Sequence, residues 1–124
     1  MAVDDDQSIL EMLRFILQKQ AATVLMVDSV AKAVENLEAF APDVILSDIG
    51  MPDYNGYGLV ALVRDSDQKG QRNTPIIALT GYTSPSDMES AFAAGFQKYM
   101  GKPFDPAELI EVIRSVVTRE AARN

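Results

Sequence analysis

Several short apolar runs of this chain are followed by residues that can do chemistry. Asp4, Asp5 and Asp6 come after Met1–Val3, Asp48 comes soon after Val44–Leu46, Thr80 ends Pro75–Thr80, and Lys102 comes soon after Lys98–Met100. Carboxylates brought together would repel one another strongly unless a cation neutralised them or some of them were protonated. Oxygen ligands without histidine or cysteine favour a hard ion such as Mg²⁺ over zinc or copper.

A lysine and a threonine beside such a cation would define what else the site could hold. Lys102 supplies a mobile positive charge and Thr80 supplies a hydroxyl group. A metal on one side, an ammonium on another, a hydroxyl donor on a third and Asp48 as an in-line nucleophile suit a phosphoryl group. An aspartate is a modest nucleophile, so positioning and charge neutralisation would supply the catalysis.

The composition of the chain excludes several other kinds of site. The sequence has no cysteine and no histidine, which excludes disulfides, thiolate or imidazole metal sites, thiol nucleophiles and histidine-based triads. The net charge of −7 argues against nucleic-acid binding, because phosphate contacts need clustered lysine and arginine. No apolar run approaches the ~20 residues that span a bilayer, and no signal peptide is visible. We therefore expect a cytoplasmic protein that does not bind membranes.

The residues that carry chemistry need elements that position them, and the sequence predicts strands and helices in alternation. The predicted strands are Met1–Val3, Thr23–Val27, Val44–Leu46, Pro75–Thr80 and Lys98–Met100. Apolar residues at helical spacing predict the inward faces of four of the helices that follow these strands. They are Ile9, Leu10, Leu13, Ile16 and Leu17 in the first helix; Val30, Ala33, Val34, Leu37 and Phe40 in the second; Leu59, Leu62 and Val63 in the third; and Leu109, Val112, Ile113 and Val116 in the last.

Polar residues ahead of the helices predict where the helices begin. Asp6 could cap the first helix, as could a capping box made of Ser8 and Glu11. Ser29 is expected to cap the second helix, and Ser84 the fourth, which should stop near Gly95.

Five strand–helix pairs in alternation predict an α/β fold: a doubly wound, five-stranded parallel sheet with right-handed crossovers and helices on both faces. The flavodoxin-like order 2-1-3-4-5 is the arrangement we expect. No repeat or interdomain linker is visible, which indicates a single domain over residues 1–124. Since the carboxyl ends of parallel strands share one edge, the acidic residues, the threonine and the lysine should meet there.

With these residues at these strand ends, the chain resembles a response-regulator receiver domain of two-component signalling, in the CheY-like superfamily, over essentially its whole length. The matching motifs are Val3-Asp4-Asp5, Asp48 with Met51-Pro52 and Gly56, Ala78-Leu79-Thr80-Gly81, and Tyr99 with Lys102-Pro103-Phe104. Any one motif alone is a weak signal. All four in this order are highly specific.

The resemblance implies a phosphoacceptor switch, which catalyses its own phosphorylation and dephosphorylation and is not otherwise an enzyme. Asp48 would accept a phosphoryl group from a phosphohistidine of a sensor histidine kinase or a histidine phosphotransfer protein. Asp5 and Asp48 would ligate Mg²⁺, or Mn²⁺ in its place. Asp4 would help through water, and the backbone carbonyl of Gly50 would complete the protein ligands.

The resemblance also implies how the switch would work. Lys102 would pair with the phosphoryl oxygens and Thr80 would hydrogen-bond to them, vacating space that the ring of Tyr99 can occupy. The surface of the fourth helix, fifth strand and fifth helix would then change and be read by a downstream effector. A weak homodimer through the same surface stays open. The Lys102–Pro103 peptide bond is expected to be cis.

Two further positions and the start of the chain carry expectations from the resemblance. Gly50 and Tyr82 would tune the lifetime of the phosphoryl group. Gly50 has no side chain to orient an attacking water and Tyr82 could shield the group, so we expect slow to intermediate autodephosphorylation. Family members usually carry more residues ahead of the acidic pair than Met1–Val3, so strand one should be shortened at its amino end.

Three other classes of protein are alternatives to a receiver domain. A haloacid-dehalogenase-type phosphatase needs a second aspartate two residues after the nucleophile, where this chain has Gly50. A flavodoxin-type FMN binder would want a Ser/Thr/Gly-rich phosphate loop where this chain has Asp4, Asp5 and Asp6. A pseudo-receiver that acts only as a protein-interaction module remains open. So do the cognate kinase, the output, the oligomeric state, and whether the chain is a single-domain regulator, a hybrid-kinase receiver or part of a larger regulator.

Overall fold

Five short parallel strands alternate with five helices in the part of the chain that the computed structural model describes, residues 1–49, 56–70, 74–81 and 85–123. The strands are β1 (Ala2–Val3), β2 (Met26–Val27), β3 (Ile45–Asp48), β4 (Ile76–Thr80) and β5 (Lys98–Gly101). The helices are α1 (Gln7–Gln18), α2 (Val30–Phe40), α3 (Gly56–Gly70), α4 (Pro85–Ala94) and α5 (Pro106–Arg123). The predicted α/β class is confirmed.

The strands form one parallel sheet in the order β2-β1-β3-β4-β5. Ala2 of β1 pairs with Met26 on one side and with Leu46 on the other. This is the doubly wound, flavodoxin-like topology that the alternation predicted. The strand order reverses between β1 and β3, and open sheets of this kind bind ligands beyond the carboxyl ends of the strands at such a point.

β1 and β2 contain only two residues each. The predicted shortening of β1 is confirmed, whereas the predicted strand Thr23–Val27 is wrong in its first half. The reason is the hydrogen-bond ladder between β1 and β2: β1 offers only Ala2 and Val3, and these pair with Met26 and Val27. Without neighbours in register, strand propensity at Thr23 is not enough to form a strand.

Two clusters of buried apolar side chains cover the two faces of the sheet. One packs Val3, Ile45, Ile76 and Ala78 against α2, α3 and α4, and the other packs Ala2, Leu46, Ile77 and Leu79 against α1 and α5. Successive strand residues alternate between the two clusters. Since both sides are covered, the strands read as continuous apolar runs in the sequence.

The inward faces of two helices differ from the prediction. Val34 of α2 is 37% exposed and Leu62 of α3 is 42% exposed, although both were predicted to point inward. Among the α3 residues whose burial is described, Leu59, Val60 and Val63 are fully buried. The helix is therefore rotated so that Val60 takes the inward place that the sequence pattern assigned to Leu62. None of the described helices is long and apolar enough to cross a membrane.

Helix starts in the described residues follow short polar side chains. The Asp6 carboxylate caps α1 by accepting the Ser8 backbone N–H at 2.9 Å, so the capping box led by Ser8 is wrong. The Ser8 hydroxyl instead donates to the same carboxylate at 2.6 Å. Ser29 caps α2 as predicted, accepting the Lys32 N–H at 3.2 Å. The predicted cap Ser84 lies outside the described residues, and α4 is followed by Gly95 at φ 122°.

Candidate functional site

The fold brings the predicted site residues to the carboxyl edge of the sheet. Asp4 and Asp5 directly follow β1, Asp48 is the last residue of β3, Thr80 is the last residue of β4, and Lys102 directly follows β5. Because all five strands are parallel, these ends point the same way. The edge therefore collects three carboxylates, one hydroxyl and one ammonium from four strands.

The three carboxylates form a cluster. Asp4, Asp5 and Asp48 each offer an oxygen atom, and these atoms all lie within 4.8 Å of one another. Asp4 is buried at 1% exposure, Asp48 is half-buried and Asp5 is exposed. The cluster is thus anchored in the protein at Asp4 and open to solvent at Asp5.

This donor set fits a hard divalent cation. Oxygens bound to one Mg²⁺ lie about 3.0 Å apart when adjacent and about 4.2 Å apart when opposite, since each metal–oxygen bond is about 2.1 Å long. The carboxylate oxygens, all within 4.8 Å of one another, are therefore close to this spacing and would draw together around the ion. Mg²⁺ also keeps several waters, which suits a cluster that opens to solvent through Asp5.

Lys102 joins two of these carboxylates. Its Nζ atom lies 2.8 Å from Asp4 Oδ2 and 3.6 Å from Asp48 Oδ2. The other Asp4 oxygen accepts the Asp6 backbone N–H at 3.0 Å. The ammonium therefore sits between the buried carboxylate of β1 and the carboxylate at the end of β3.

The pKa shifts of Asp4 and Lys102 follow from burial and from the neighbouring charges. Burial raises the pKa of the Asp4 carboxyl above its usual value, although the hydrogen bonds from Lys102 and from the Asp6 amide oppose the rise. Burial alone would lower the pKa of Lys102, but the hydrogen bond to Asp4 and the charges of Asp4 and Asp48 outweigh it and raise the pKa. Lys102 is therefore charged at neutral pH.

Thr80 and Tyr99 lie on adjacent strands next to this site. Thr80 is fully buried, and its carbonyl accepts the Lys102 backbone N–H at 2.8 Å. Tyr99 is half-buried and lies opposite Ala78 in the β4–β5 ladder. Its ring centroid is 6.5 Å from that of Phe92 of α4, with the ring planes tilted by 48°. The Tyr99 side chain thus joins β5 to α4.

Some sequence predictions are confirmed here and others fall on residues that are not described. The Lys102–Pro103 bond is cis, as expected. Gly56 is the first residue of α3. Gly50, Met51, Pro52 and Tyr82 lie outside the described residues, so the backbone ligand and the two lifetime positions stay predictions.

The sequence did not reveal how closely Lys102 binds Asp4. The resemblance predicts that the lysine faces a phosphoryl group on Asp48, yet its shorter contact is with the buried Asp4 carboxylate that follows β1. The only signal available was the placement of both residues at strand ends, which predicts a shared edge and not a specific pair.

Comparisons with known proteins agree with this architecture. The profile of the family described as "Response regulator receiver domain" matches residues 1–114. An uncharacterised 14.6 kDa protein of the sodA1 3′ region in Leptolyngbya boryana is 37% identical, over 92% of this chain and 86% of that protein. The transcriptional regulatory protein KdpE of Mycobacterium tuberculosis is 31% identical over 98% of this chain, which spans 52% of that protein.

A solved structure gives the same result in three dimensions. The chemotaxis protein CheY4 of Vibrio cholerae superposes with a TM-score of 0.83 at 34% sequence identity, covering 93% of this chain and 94% of that one. A profile match over most of the chain, together with this shared fold, decides the family. The chain belongs to the response regulator receiver domains of two-component systems.

Proposed function

We propose that the chain is a phosphorylation switch in which Asp48 accepts a phosphoryl group, with Mg²⁺, from a phosphohistidine of a sensor histidine kinase or a histidine phosphotransfer protein. The observation that carries this proposal is the convergence of Asp4, Asp5 and Asp48 within 4.8 Å, with Lys102 in contact with two of the three. Receiver domains interact with sensor kinases and effectors in two-component systems, which supports the choice of partner.

Each residue of the cluster has a distinct part in the proposed transfer. Asp5 and Asp48 would hold Mg²⁺ directly and Asp4 would hold it through water. When bound, the ion offsets the repulsion between Asp48 and the incoming phosphoryl oxygens. The Asp48 carboxylate oxygen forms a bond to phosphorus while the phosphorus–nitrogen bond of the donor breaks. The electron pair of that bond returns to the imidazole nitrogen, which takes up a proton.

Lys102 supports this step by charge. As the phosphorus–nitrogen bond breaks, negative charge on the equatorial oxygens needs a cation that is already in place. The ammonium lies 3.6 Å from Asp48, so a small rotation of its flexible side chain brings it to a phosphoryl oxygen on that residue. Its contact with Asp4 keeps it beside the nucleophile before transfer.

The acyl phosphate would act as the signal. Thr80 would move toward the phosphoryl group and the Tyr99 ring would take the vacated space, changing the surface formed by α4, β5 and α5. The packing of Tyr99 against Phe92 of α4 supports this route. The phosphoryl group must favour the active packing over the resting one, because a modification that suits both equally shifts no population.

Intact-mass measurement tests the proposal. The full chain is incubated with Mg²⁺ and acetyl phosphate, and we expect one phosphoryl adduct on the wild type. Asp48→Ala should abolish the adduct. Asp43→Ala is the matched control, because Asp43 is an exposed aspartate ahead of β3 at the opposite edge of the sheet, and it should leave the adduct intact.

The same experiment distinguishes the phosphorylation switch from a pseudo-receiver. An adduct that persists in Asp48→Ala would assign the acceptor to another residue and overturn the site. A wild-type chain that takes no phosphoryl group from acetyl phosphate or from a phosphorylated kinase would instead be a pseudo-receiver, an interaction module without phosphorylation.

A further inference from the structure

The two ends of α4 differ in burial. None of its first six side chains, Pro85–Ser90, is buried: Asp87 is half-buried and the other five are exposed. Burial begins at Ala91 and continues just after the helix at Phe96. Because α4 joins the carboxyl end of β4 to the amino end of β5, its exposed amino half lies toward the edge that carries Asp48. The helix is therefore anchored in the core at the end far from the proposed phosphorylation site.

Gly95 closes the carboxyl end of α4. Its N–H donates to the carbonyls of Ala91 and Phe92, both at 3.2 Å, and the Phe96 N–H donates to the same Ala91 carbonyl at 3.2 Å. Gly95 has φ 122°, a conformation that residues with a Cβ atom rarely adopt. A Cβ at this position would also lie 3.4 Å from Arg64 Nε. The helix therefore ends in a defined turn that lies directly against α3.

Arg64 of α3 joins this turn to the sheet. Its guanidinium donates to the Gly95 carbonyl and to Gln97 Oε1, both at 2.8 Å, and to the Thr74 carbonyl at 2.6 Å. Gln97 is bonded twice to Ile76 of β4: its backbone N–H donates to the Ile76 carbonyl at 2.9 Å, and its Oε1 accepts the Ile76 N–H at 2.8 Å. Ile76 is fully buried. The carboxyl end of α4 is thus fixed to the core through Arg64 and Gln97.

The contact between α4 and Tyr99 lies close to this fixed end. Phe92, whose ring packs against that of Tyr99, is three residues before Gly95, and Met88 is seven residues before it. At a helical rise of about 1.5 Å per residue, these positions are about 4.5 Å and about 10 Å from Gly95, so a rotation about Gly95 that moves Phe92 by about 1 Å would move Met88 by about 2 Å. Both side chains are exposed, so such a rotation changes the apolar surface of α4.

We propose that Arg64 holds the Gly95 turn as a fixed pivot, so that movement of the Tyr99 ring rotates α4 about its carboxyl end and displaces its amino half most. The inference rests on the proposed phosphorylation switch, because the Tyr99 movement belongs to that switch. The pivot itself is formed before phosphorylation by the bonds of Arg64. Arg64 lies at the edge opposite Asp48 and takes no part in phosphoryl transfer, so it is a positioning residue for the signal.

Distances between spin labels test the pivot in the phosphorylated chain. The sequence has no cysteine, so introduced cysteines can be labelled without background. One label is attached through Glu89→Cys or Ala93→Cys in α4, and the other through Gln18→Cys in α1 or Glu35→Cys in α2, all exposed positions, with α1 and α2 on opposite faces of the sheet. Position 89 is about three times as far from Gly95 as position 93 is, so treatment with Mg²⁺ and acetyl phosphate should change its distances at least about twofold more.

Replacing Arg64 should remove this difference between the two α4 positions. In Arg64→Met the phosphoryl adduct should still form by intact mass, but the distances from the two positions should change by similar amounts. Arg64→Lys keeps the charge, yet its ammonium cannot bridge the three acceptors as the planar guanidinium does, so it should behave like Arg64→Met. Arg14→Met on the exposed side of α1 is the control and should keep the wild-type pattern. Equal changes at both positions in the phosphorylated wild type would overturn the pivot, and unequal changes that persist in Arg64→Met would overturn the role of Arg64.

Amide hydrogen exchange in the unphosphorylated chain separates this inference from the proposed function. The Gly95 and Phe96 amides should exchange more slowly than those of Glu89 and Ser90, although the latter also have partners one turn earlier in the helix. Arg64→Met should accelerate the first pair at least about tenfold more than the second, whereas a general loss of stability would accelerate both pairs alike. A chain that shows this pattern but takes no phosphoryl group would contradict the proposed function and support the pivot. A chain that is phosphorylated without showing it would contradict the pivot alone.

Discussion

Lys102 is the residue whose surroundings say most about the site. Asp4 has almost no contact with solvent, and its two oxygens are satisfied by the Lys102 ammonium and the Asp6 amide. The lysine side chain remains 21% exposed. The Lys102 side chain can therefore move from Asp4 to a new partner at the carboxyl edge of the sheet, provided that another cation then neutralises the charge of the buried Asp4 carboxylate.

Replacing Lys102 by methionine should lower the free energy of unfolding by about 1–3 kcal/mol in chelator, because it leaves Asp4 buried without its cation. Urea titration measures the loss, and Mg²⁺ should restore part of it. Lys32→Met is the control: Lys32 and Asp28 form an exposed i,i+4 pair at 2.9 Å, so its loss should be ~0.5 kcal/mol or less. Equal losses in the two variants would contradict the role assigned to Lys102.

The buried amine of Met1 makes stability depend on pH. Its pKa is about 6 in the folded chain against 8.0 as the ordinary value, so between these values the unfolded chain binds more protons. Stability should therefore rise from pH 6 to pH 8 by up to about 2.7 kcal/mol, and be lost as pH falls through that window. The sequence has no histidine that would titrate there as well.

Urea titrations at pH 6, 7 and 8 measure this slope. Acetylation of the Met1 amine is the control, because it removes the ionisable group and leaves one N–H for Val44. The acetylated chain should be much less sensitive to pH in this range. Identical slopes with and without acetylation would rule out the amine as the cause.

At the scale of elements, Arg64 ties α3 to the amino ends of β4 and β5. Its guanidinium donates to the Thr74 carbonyl at 2.6 Å, to the Gly95 carbonyl at 2.8 Å and to Gln97 Oε1 at 2.8 Å. Gln97 Oε1 also accepts the Ile76 N–H at 2.8 Å. One side chain thus bonds to the chain just before each of two strands and holds both segments against α3.

Replacing Arg64 by methionine keeps an unbranched apolar stem and removes the donors. We expect a loss of about 2 kcal/mol in unfolding free energy, because these partly buried acceptors lose a charged donor. Arg14→Met on the exposed side of α1 is the matched control and should change stability by about 0.5 kcal/mol or less. Because Arg64 lies at the edge opposite Asp48, phosphorylation by acetyl phosphate should continue in the folded fraction.

At the scale of the whole molecule, the two edges of the sheet have different chemistry. The carboxyl edge carries Asp4, Asp5, Asp48 and Lys102, while the amino edge carries the buried Met1 amine and the Arg64 bonds. Asp4 and Asp5 follow β1 and Asp48 ends β3, so these carboxylates meet only when the two neighbouring strands are paired in the folded chain. A cation bound to this cluster therefore binds the folded state and stabilises the whole domain.

Mg²⁺ should raise the melting temperature, and at one hundred times its dissociation constant the stabilisation would be ~2.7 kcal/mol if the unfolded chain does not bind. Thermal scans in chelator and in millimolar Mg²⁺ measure it. Asp5→Asn should abolish the response without harming the core, because Asp5 is exposed. Asp43→Asn should keep the response. A melting temperature that Mg²⁺ leaves unchanged in the wild type would remove the metal from the site.

The sequence by itself determined the class of fold, the sheet order and the edge at which the site residues meet. Apolar runs, helical periodicity and caps such as Ser29 are local patterns, and alternation in a parallel sheet then leaves few topologies. These features need no knowledge of distant contacts, which explains why Asp48 and Lys102 could both be placed at strand ends.

Only the tertiary structure decided which particular groups touch. Asp4 and Lys102 are 98 positions apart, and no local pattern specifies that pair over Asp48 and Lys102. The rotation of α3, which buries Val60 and exposes Leu62, depends on packing against neighbouring helices. The late start of β2 likewise depends on how much of β1 is available to pair, because a strand exists only where its neighbour does.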